Sequence, residues 1–442
     1  MSTIMQRAGA APAGSASSPA TGSIPHYPKD EARKSAPWFK RLLAAPPPWL
    51  LAPARALRVP NLLGIRVVAR YLEVTEVLAR TDVFAVPFGD EITALGGGKP
   101  FLLGIDDCDA HGEQLRVLMQ IFRREDLKKI GKYAAEKARA QIDLAIAEAR
   151  KNHERPPYRI NAIKELITGV PLEIVARYYG IDMPDRQLFA DAAIDVSGHL
   201  FGGNAKPEAR GPRIAPAAAY LHDVVDASIG KAHPNADGDK IVERLLAYRD
   251  PANQQLAPEV VRAMLIGMIV GFVPTNTMAG GHILEVLLCK EQAMNAACHA
   301  ARLGDDDLLN RCLLEALRFM PINPGPFRTC KKAFTIAADT PRAKTIPPNS
   351  KVLASTFAAM FDPRSVREPK SFNPGRPAAD YLHFGHGLHW CIGAYIAQTQ
   401  LTQTFKVLLQ QAKVGRAAKD GRLKRRGNFP DRLYLEFQEP SR

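Results

Sequence analysis

The sequence predicts a mainly helical fold with small β regions. Amphipathic helical patterns follow one another along residues 134–230, and a long apolar run with helical character occupies residues 260–288. Strand-like patterns are short by comparison, as at residues 65–71, where Val67 and Val68 are apolar. Strands therefore form a minor part of the predicted fold.

The composition is that of a globular protein in a reducing cytoplasm. Apolar residues make up 46% of the 442 residues, which is enough for a sizeable core. The six cysteines show no CxxC spacing, so neither a disulfide framework nor a zinc site is indicated. The net charge of +14 fits either a generally basic, solvated surface or a patch for an acidic partner. The charges are dispersed and no nucleic-acid-binding motif is present.

The first 34 residues are rich in Ala, Ser, Gly and Pro and have little contiguous apolar surface. Such a segment cannot offset its ordering entropy, so we predict a disordered leader at residues 1–34. It lacks the continuous apolar stretch of a signal peptide. The apolar residues at 42–63 are interrupted by prolines, so no membrane span is predicted there.

The most informative stretch is a glycine-rich loop near the C-terminal end. Residues 384–393 read Phe-Gly-His-Gly-Leu-His-Trp-Cys-Ile-Gly, directly before a helical pattern at residues 394–410. Glycines let the backbone fold around a sulfur atom, and a helix N-terminus adds partial positive charge. Both stabilise a thiolate, the form of cysteine that binds a metal or attacks an electrophile. Cys391 is therefore a candidate site residue, and a buried structural cysteine is the alternative.

The pattern Phe-Gly-x-Gly-x-His-x-Cys-x-Gly resembles the haem-ligand loop of the cytochrome P450 superfamily. The resemblance implies that the cofactor is haem b and that the Cys391 thiolate binds its iron. It implies that His389 donates to a haem propionate and that the Phe384 ring packs under the porphyrin, with Gly393 in the same cofactor-binding loop. The implied fold is the cytochrome P450 fold, formed by residues 35–442 as a single domain.

Further residues match haem-binding positions of the superfamily. Residues 107–111 read Asp-Cys-Asp-Ala-His, which is similar to a segment whose His, and an Arg one turn later, bind haem propionates. His111 matches the first position, whereas Leu115 occupies the second and Arg116 is displaced by one residue. Arg328 stands where relatives have a propionate-binding arginine on a strand. Without the resemblance, His111 would indicate only a surface or capping residue.

The apolar run at residues 260–288 is long enough for a membrane span, but its glycines and polar residues predict a buried central helix. In the superfamily this helix carries an (Ala/Gly)-Gly-x-(Asp/Glu)-Thr signature, whose acid and alcohol relay protons. With Gly271 as the signature glycine, Val273 replaces the acid and Pro274 replaces the alcohol. Thr275 or Asn276 would then act through a bound water, and a one-residue shift in register would restore Thr275 to the alcohol position.

Glu315 and Arg318 lie three residues apart in a helical pattern, so they share a helix face and can form an ion pair. Taken alone, this spacing is common on protein surfaces. The resemblance gives it a further meaning, because Phe-Asn-Pro-Gly-Arg at residues 372–376 matches a superfamily motif. It implies that Arg376 completes a network with Glu315 and Arg318 that holds the haem-loop side of the fold.

Basic residues follow the helix that begins near His111, and we predict that this helix continues through them: Arg123, Arg124, Lys128 and Lys129. In relatives, this region borders the face that receives a redox partner. The resemblance therefore implies that an acidic ferredoxin- or flavodoxin-type electron donor docks here. A solvated charged helix face is the alternative.

Three functions are compatible with these motifs. The first is a monooxygenase that takes electrons from a partner and inserts one oxygen atom from O2 into an apolar small molecule. The second is a haem-thiolate enzyme that uses a peroxide or rearranges a hydroperoxide; Val273 and Pro274, in place of the usual acid and alcohol, are the reason to consider it. The third, a haem-binding sensor without catalysis, fits least because no output domain is present. We predict the first, in the cytoplasm and without a membrane span.

Overall fold

The computed structural model describes residues 52–202, 208 and 210–440. The leader predicted at residues 1–34 lies outside the described residues. The predicted mainly helical fold with small β regions is confirmed by the order of the elements. The α-helices are α1 Ala52–Ala56, α2 Tyr71–Ala79, α3 Gly89–Leu95, α4 Cys108–Ile121, α5 Asp126–Lys151, α6 Gly169–Ile174, α7 Arg186–Phe201, α8 Ile214–Lys231, α9 Ile241–Ala247, α10 Pro258–Cys289, α11 Glu291–Leu303, α12 Asp306–Phe319, α13 Thr356–Ala359 and α14 Ala394–Leu409.

Twelve short strands are present in the described part of the chain. They are β1 Asn61–Leu62, β2 Ile65–Val68, β3 Phe84–Ala85, β4 Tyr158–Asn161, β5 Phe327–Cys330, β6 Phe334–Ile336, β7 Lys344–Ile346, β8 Lys351–Ala354, β9 Ala412–Arg416, β10 Lys424–Arg426, β11 Phe429–Arg432 and β12 Tyr434–Gln438. The largest sheet has the order β1-β2-β8-β5-β3, and only its β2–β8 pair is parallel. A second sheet has the order β4-β12-β9, and two hairpins, β6–β7 and β10–β11, stand apart.

The core is organised around α10, which contacts α7, α8, α12 and the β10–β11 hairpin. Most of its side chains are buried, because neighbouring elements surround it on nearly all sides. By length and composition α10 could cross a membrane, but 78% of its most apolar window is buried inside the protein, as expected of a core helix. In a search of the described residues, no second helix met these criteria.

The helix that carries His111 is shorter than predicted. Asp107 caps its N-terminus by accepting hydrogen bonds from the amides of Asp109 and Ala110. The helix ends at Ile121, because Phe122 adopts an extended conformation and packs its ring 6.0 Å from that of Tyr179. The prediction that this helix continues through the basic residues was therefore wrong: two of them lie in a turn and two in α5.

Candidate active site

The loop that presents Cys391 is folded by its own backbone hydrogen bonds. The amide of Cys391 donates to the carbonyl of Phe384 at 2.9 Å, and the amide of Trp390 donates to that of Gly387 at 3.0 Å. Gly387 has a φ of +70°, and a Cβ atom there would lie 2.9 Å from the carbonyl oxygen of Leu78. Only glycine fits this position, where the loop approaches the end of α2.

The sulfur of Cys391 opens onto an interior space. Its side chain is accessible, yet the surrounding protein desolvates the thiol and raises its pKa. The amide of Gly393 donates to the sulfur and opposes this shift, so the chain itself supplies one donor for a thiolate. A metal cation beside the sulfur would supply the missing positive charge. The loop therefore fits a metal centre with one cysteine ligand.

Three basic side chains lie near the loop: His111, His389 and Arg328, each of which interacts with Asp106. The rings of His111 and His389 meet edge to face with centroids 5.5 Å apart. Arg328 on β5 is 4% exposed, and desolvation lowers its pKa to about 10, although Asp106 acts in the opposite direction. Desolvation also lowers the pKa of His111, with a further contribution from His389.

Each of these three side chains keeps one buried nitrogen without a hydrogen-bond partner. The atoms are Nδ1 of His111, Nδ1 of His389 and Nε of Arg328. Buried nitrogens of this kind cost free energy unless a partner meets them, and the guanidinium of Arg328 among them favours an anionic ligand at this point. The carboxylates of haem are groups of this kind, and the donor set therefore fits the cofactor that the sequence implies.

Asp106 belongs to the same cluster and was not predicted from the sequence. Its carboxylate lies 3.0 Å from Nε2 of His389 and accepts a hydrogen bond from the amide of Val86. Nζ of Lys331 lies 3.8 Å from the other carboxylate oxygen. No local pattern distinguishes Asp106 from its neighbour Asp107, because its partners are distant in the sequence.

Two predicted cofactor residues are placed differently from the rest. Arg116 is exposed on α4, and five residues correspond to about 140° of rotation, so it points well away from His111. The structure therefore does not bring Arg116 to the basic cluster, and its candidacy was wrong. Phe384 is half-buried, and its carbonyl holds the Cys391 amide.

The residues predicted on α10 divide between two environments. Gly271 and Thr275 are partly exposed although α10 is central, and a Cβ atom at Gly271 would meet nothing within 4 Å. They therefore border an open interior space, one helical turn apart. The hydroxyl of Thr275 donates to the carbonyl of Gly271 at 2.5 Å. Val273 and Pro274, by contrast, are buried against protein.

Asn276 does not reach this open space, so its proposed role beside Thr275 was wrong. Its amide nitrogen donates to the carbonyl of Phe272 at 2.8 Å, and its amide oxygen accepts from Nε2 of Gln400 at 2.7 Å. Both bonds are buried. Asn276 thus joins α10 to α14, a structural task that the sequence pattern did not reveal.

Glu315, Arg318 and Arg376 lie together and are almost fully buried. Arg318 forms two hydrogen bonds with the carboxylate of Glu315, at 2.9 and 2.8 Å. Nε of Arg376 lies 3.1 Å from the same carboxylate, which also accepts from the Asn373 amide and the Tyr381 hydroxyl. Burial opposes ionisation of Glu315, but these donors outweigh it and lower its pKa. The arginines also donate to carbonyls in the segment 360–371.

The predicted basic docking residues are not equally available. Arg123 pairs with Asp237, and Lys129 pairs with Asp239 and Asp126, so both serve contacts within the protein. Two others are exposed, and they are accompanied by two exposed aromatic residues near Cys391: Arg124, Lys128, Trp390 and Tyr395. The guanidinium of Arg124 lies 4.9 Å from the centroid of the Tyr395 ring.

Comparisons with known proteins agree with this architecture. The family described as Cytochrome P450 matches residues 297–425, which include the Cys391 loop. Cytochrome P450 monooxygenase PikC of Streptomyces venezuelae is 25% identical over 58% of this chain and 57% of its own. Vitamin D(3) 25-hydroxylase of Pseudonocardia autotrophica is 25% identical over 54% of this chain and 55% of its own.

Solved structures extend the likeness over most of the fold. The ligand-free structure of Cytochrome P450 TbtJ1 is similar over 88% of this chain and 96% of its own, with a TM-score of 0.69 and 21% identity. The sequence matches are shorter: the chain aligns with little more than half the length of the two curated relatives.

Proposed function

Since the chain belongs to the cytochrome P450 superfamily, we propose that it is a monooxygenase that inserts one oxygen atom from O2 into an apolar small molecule. Members of this superfamily hold haem through a cysteine thiolate. Haem held in this way supplies the oxygen chemistry when it is bound. The convergence of three unpartnered buried nitrogens beside the loop of Cys391 is the observation that carries the proposal.

We assign Cys391 as the iron ligand and His111, Arg328 and His389 as the residues that meet the haem carboxylates. Gly393 contributes its amide to the sulfur, and the Gly385 and Gly387 turns shape the loop. The Glu315, Arg318 and Arg376 network supports this side of the fold by tying α12 to the segment before the loop. Because these residues come from five separate elements or loops, the cofactor site depends on the whole fold.

On α10 we adopt the shifted register, in which Gly271 opens the signature and Thr275 occupies the alcohol position. The partial exposure of both residues and the hydrogen bond between them support this register. Pro274 then replaces the acid, and Val273 is a buried neighbour. The chain offers the Thr275 hydroxyl to hold and pass a proton but no carboxyl group beside it, so protons must arrive there through water.

Electrons come, in this proposal, from an acidic ferredoxin- or flavodoxin-type protein. The exposed residues Arg124 and Lys128 support docking by charge, and Trp390 and Tyr395 add an apolar contact area near the cysteine loop. All six cysteines are free thiols, which fits a cytoplasmic location. We also propose that residues 35–442 form one domain, because β2 pairs with β8 and β4 pairs with β12 across most of the sequence.

The CO-difference spectrum of the reduced, haem-loaded protein tests the ligand assignment. We expect the thiolate-type band, and we expect Cys391→Ala to abolish it. Cys298→Ala is the matched control, because Cys298 is half-buried on α11 and should leave the band unchanged. A thiolate-type band that survives in Cys391→Ala would overturn the assignment.

Turnover of one panel of substrates under two conditions then distinguishes O2 from peroxide as the source of oxygen. We expect product with NADPH and surrogate redox proteins under O2, and little product with peroxide alone. The names of the relatives reported above, a monooxygenase and a hydroxylase, give no support to the peroxide alternative. Efficient turnover with peroxide and none with the redox proteins would reverse this conclusion.

A further inference from the structure

The carboxylate of Asp106 lies within the basic cluster, yet no step described above uses it. Oδ1 lies 3.0 Å from Nε2 of His389, and both carboxylate oxygens accept from the amide of Val86, at 3.2 and 3.0 Å. Nζ of Lys331 lies 3.8 Å from Oδ2. The side chain is only 12% exposed, so these contacts fix its place.

The contact with Asp106 determines how the His389 ring is presented. Because Nε2 is engaged by the carboxylate, the ring cannot rotate freely, and Nδ1 is left buried without a partner. The side chain of His389 is 5% exposed, so solvent does not satisfy this nitrogen. Because a carboxylate only accepts hydrogen bonds, Nε2 is the nitrogen that donates to Asp106, and Nδ1 is the nitrogen left to face a further group.

Asp106 also changes the net charge of the cluster. Arg328 and Lys331 contribute two positive charges close to it, and the two carboxylates of haem would bring two negative charges. Asp106 adds a third negative charge, which opposes the gain of an electron by a nearby iron.

We propose that Asp106 is a positioning residue for haem: it holds the His389 ring through Nε2 so that Nδ1 meets a haem carboxylate, and its fixed negative charge lowers the reduction potential of the iron. This inference rests on the proposed haem site. It differs from a purely structural role, in which Asp106 would serve only to hold the backbone of Val86.

The test compares two single substitutions that each remove one negative charge. Asp106→Asn keeps an oxygen that accepts from the Val86 amide but weakens the contact with His389. Asp109→Asn is the control, because Asp109 is an exposed residue in the first turn of α4. We expect Asp106→Asn to release haem to an excess of an apoglobin acceptor about three- to tenfold faster, the factor expected for one lost hydrogen bond.

The reduction potential provides the readout that a structural role would not move. We expect a more positive potential in Asp106→Asn and none of this shift in Asp109→Asn. Asp106→Glu keeps the charge and is expected to keep the potential while still releasing haem faster, because its longer side chain displaces the ring. If Asp106→Asn folds but retains no haem, while Asp109→Asn retains it, positioning is supported; a changed potential in Asp106→Glu, which keeps the charge, would overturn the electrostatic part.

A double-mutant cycle with His389→Ala tests whether Asp106 acts through the histidine. We expect Asp106→Asn to change the haem release rate much less in the His389→Ala background. Equal effects in both backgrounds, or release rates and potentials equal to those of Asp109→Asn, would overturn the inference. If the unaltered protein itself shows no thiolate-ligated haem, the proposed function fails instead, so the two failures are distinguishable.

Discussion

Thr275 is the residue on α10 whose surroundings bear most directly on the proposed reaction. Its hydroxyl donates to the carbonyl of Gly271, so an oxygen lone pair remains available to accept a hydrogen bond from water. Its neighbours Pro274 and Asn276 cannot replace it, because the first has no exchangeable proton and the second is bonded to Gln400. In the proposed reaction, proton transfer on this side of the site therefore depends on the Thr275 hydroxyl.

We expect Thr275→Ala to lower the product formed per NADPH consumed by about tenfold, which corresponds to ~1.4 kcal/mol of lost stabilisation. Electrons would then be lost to peroxide, which a peroxidase-coupled assay detects. Thr275→Ser should restore most of the coupling, because it keeps the hydroxyl. Thr277→Ala is the control, since Thr277 is buried and bonds to Val273 and Thr168. Unchanged coupling in Thr275→Ala would contradict the assignment.

The elements around the site are held together by buried polar contacts as well as by apolar packing. Glu315 on α12 contacts Arg376 from a distant loop. His282 on α10 contacts the carbonyl of Pro321 and Arg425 of the β10–β11 hairpin. A buried charge or ring of this kind is favourable only when every partner is present. These contacts therefore specify how the elements sit against one another.

Replacing Glu315 by Gln leaves Arg318 and Arg376 as buried charges without a carboxylate. We expect a loss of about 3–5 kcal/mol in the free energy of unfolding, the cost typical of a broken buried ion pair. Urea unfolding and the haem content after purification measure this loss. Glu291→Gln is the control, because Glu291 is exposed at the start of α11 and should change neither quantity.

His282 makes stability depend on pH. Desolvation, helped by the charge of Arg425, lowers its pKa to about 3. The ring is therefore neutral when folded, with Nδ1 hydrogen-bonded to the carbonyl of Pro321 at 3.0 Å and Nε2 accepting from Arg425 at 2.8 Å. A folded pKa below the unfolded value of about 6.5 means that its contribution is complete above pH 6.5 and is lost as the pH falls toward 3.

Below pH 6.5, we expect the contribution of His282 to the free energy of unfolding to fall by about 1.4 kcal/mol per pH unit. Urea unfolding at pH 7.5, 6 and 5 measures the slope, and His282→Asn should remove this part of it. Because other groups titrate equally in both proteins, the difference between the two curves isolates His282. Parallel curves would show that the ring does not carry this dependence.

At the scale of the molecule, the proposed docking face lies at the start of α5. Lys128 lies in the first turn of α5, so Lys151 at the far end of this helix is roughly 35 Å away. The β4-β12-β9 sheet follows that far end. An acidic donor attracted to Lys128 would therefore lie far from this sheet.

We expect Lys128→Glu to slow reduction by an acidic ferredoxin several-fold at low salt, and the difference from the unaltered protein to shrink as ionic strength rises. Lys419→Glu makes the same charge change beside β4, where the Lys419 carbonyl accepts from Arg159, and should have little effect. Stopped-flow reduction under CO measures both. Equal slowing in the two variants would indicate a response to net charge and not to a docking face.

Local motifs allowed much of this molecule to be predicted from its sequence. Residues whose partners are distant in the sequence were not predictable in this way. The loop of Cys391 was predictable because its glycines and cysteine lie within ten residues, and backbone bonds within that loop shape it. Asp106 and Asn276 were not, since their partners His389 and Gln400 come from distant segments. Arg116 was misplaced because one residue on a helix rotates a side chain by about 100°.

The buried hydrogen bond between Asn276 and Gln400 also bears on how the protein acquires its cofactor in the cell. It joins α10 to α14, the helix that begins three residues after Cys391, so these two helices dock during folding of the polypeptide. Parting them afterwards would break this bond and hydrate apolar side chains, a large cost for a transient opening. We therefore expect α10 and α14 to stay docked when haem enters or leaves the site.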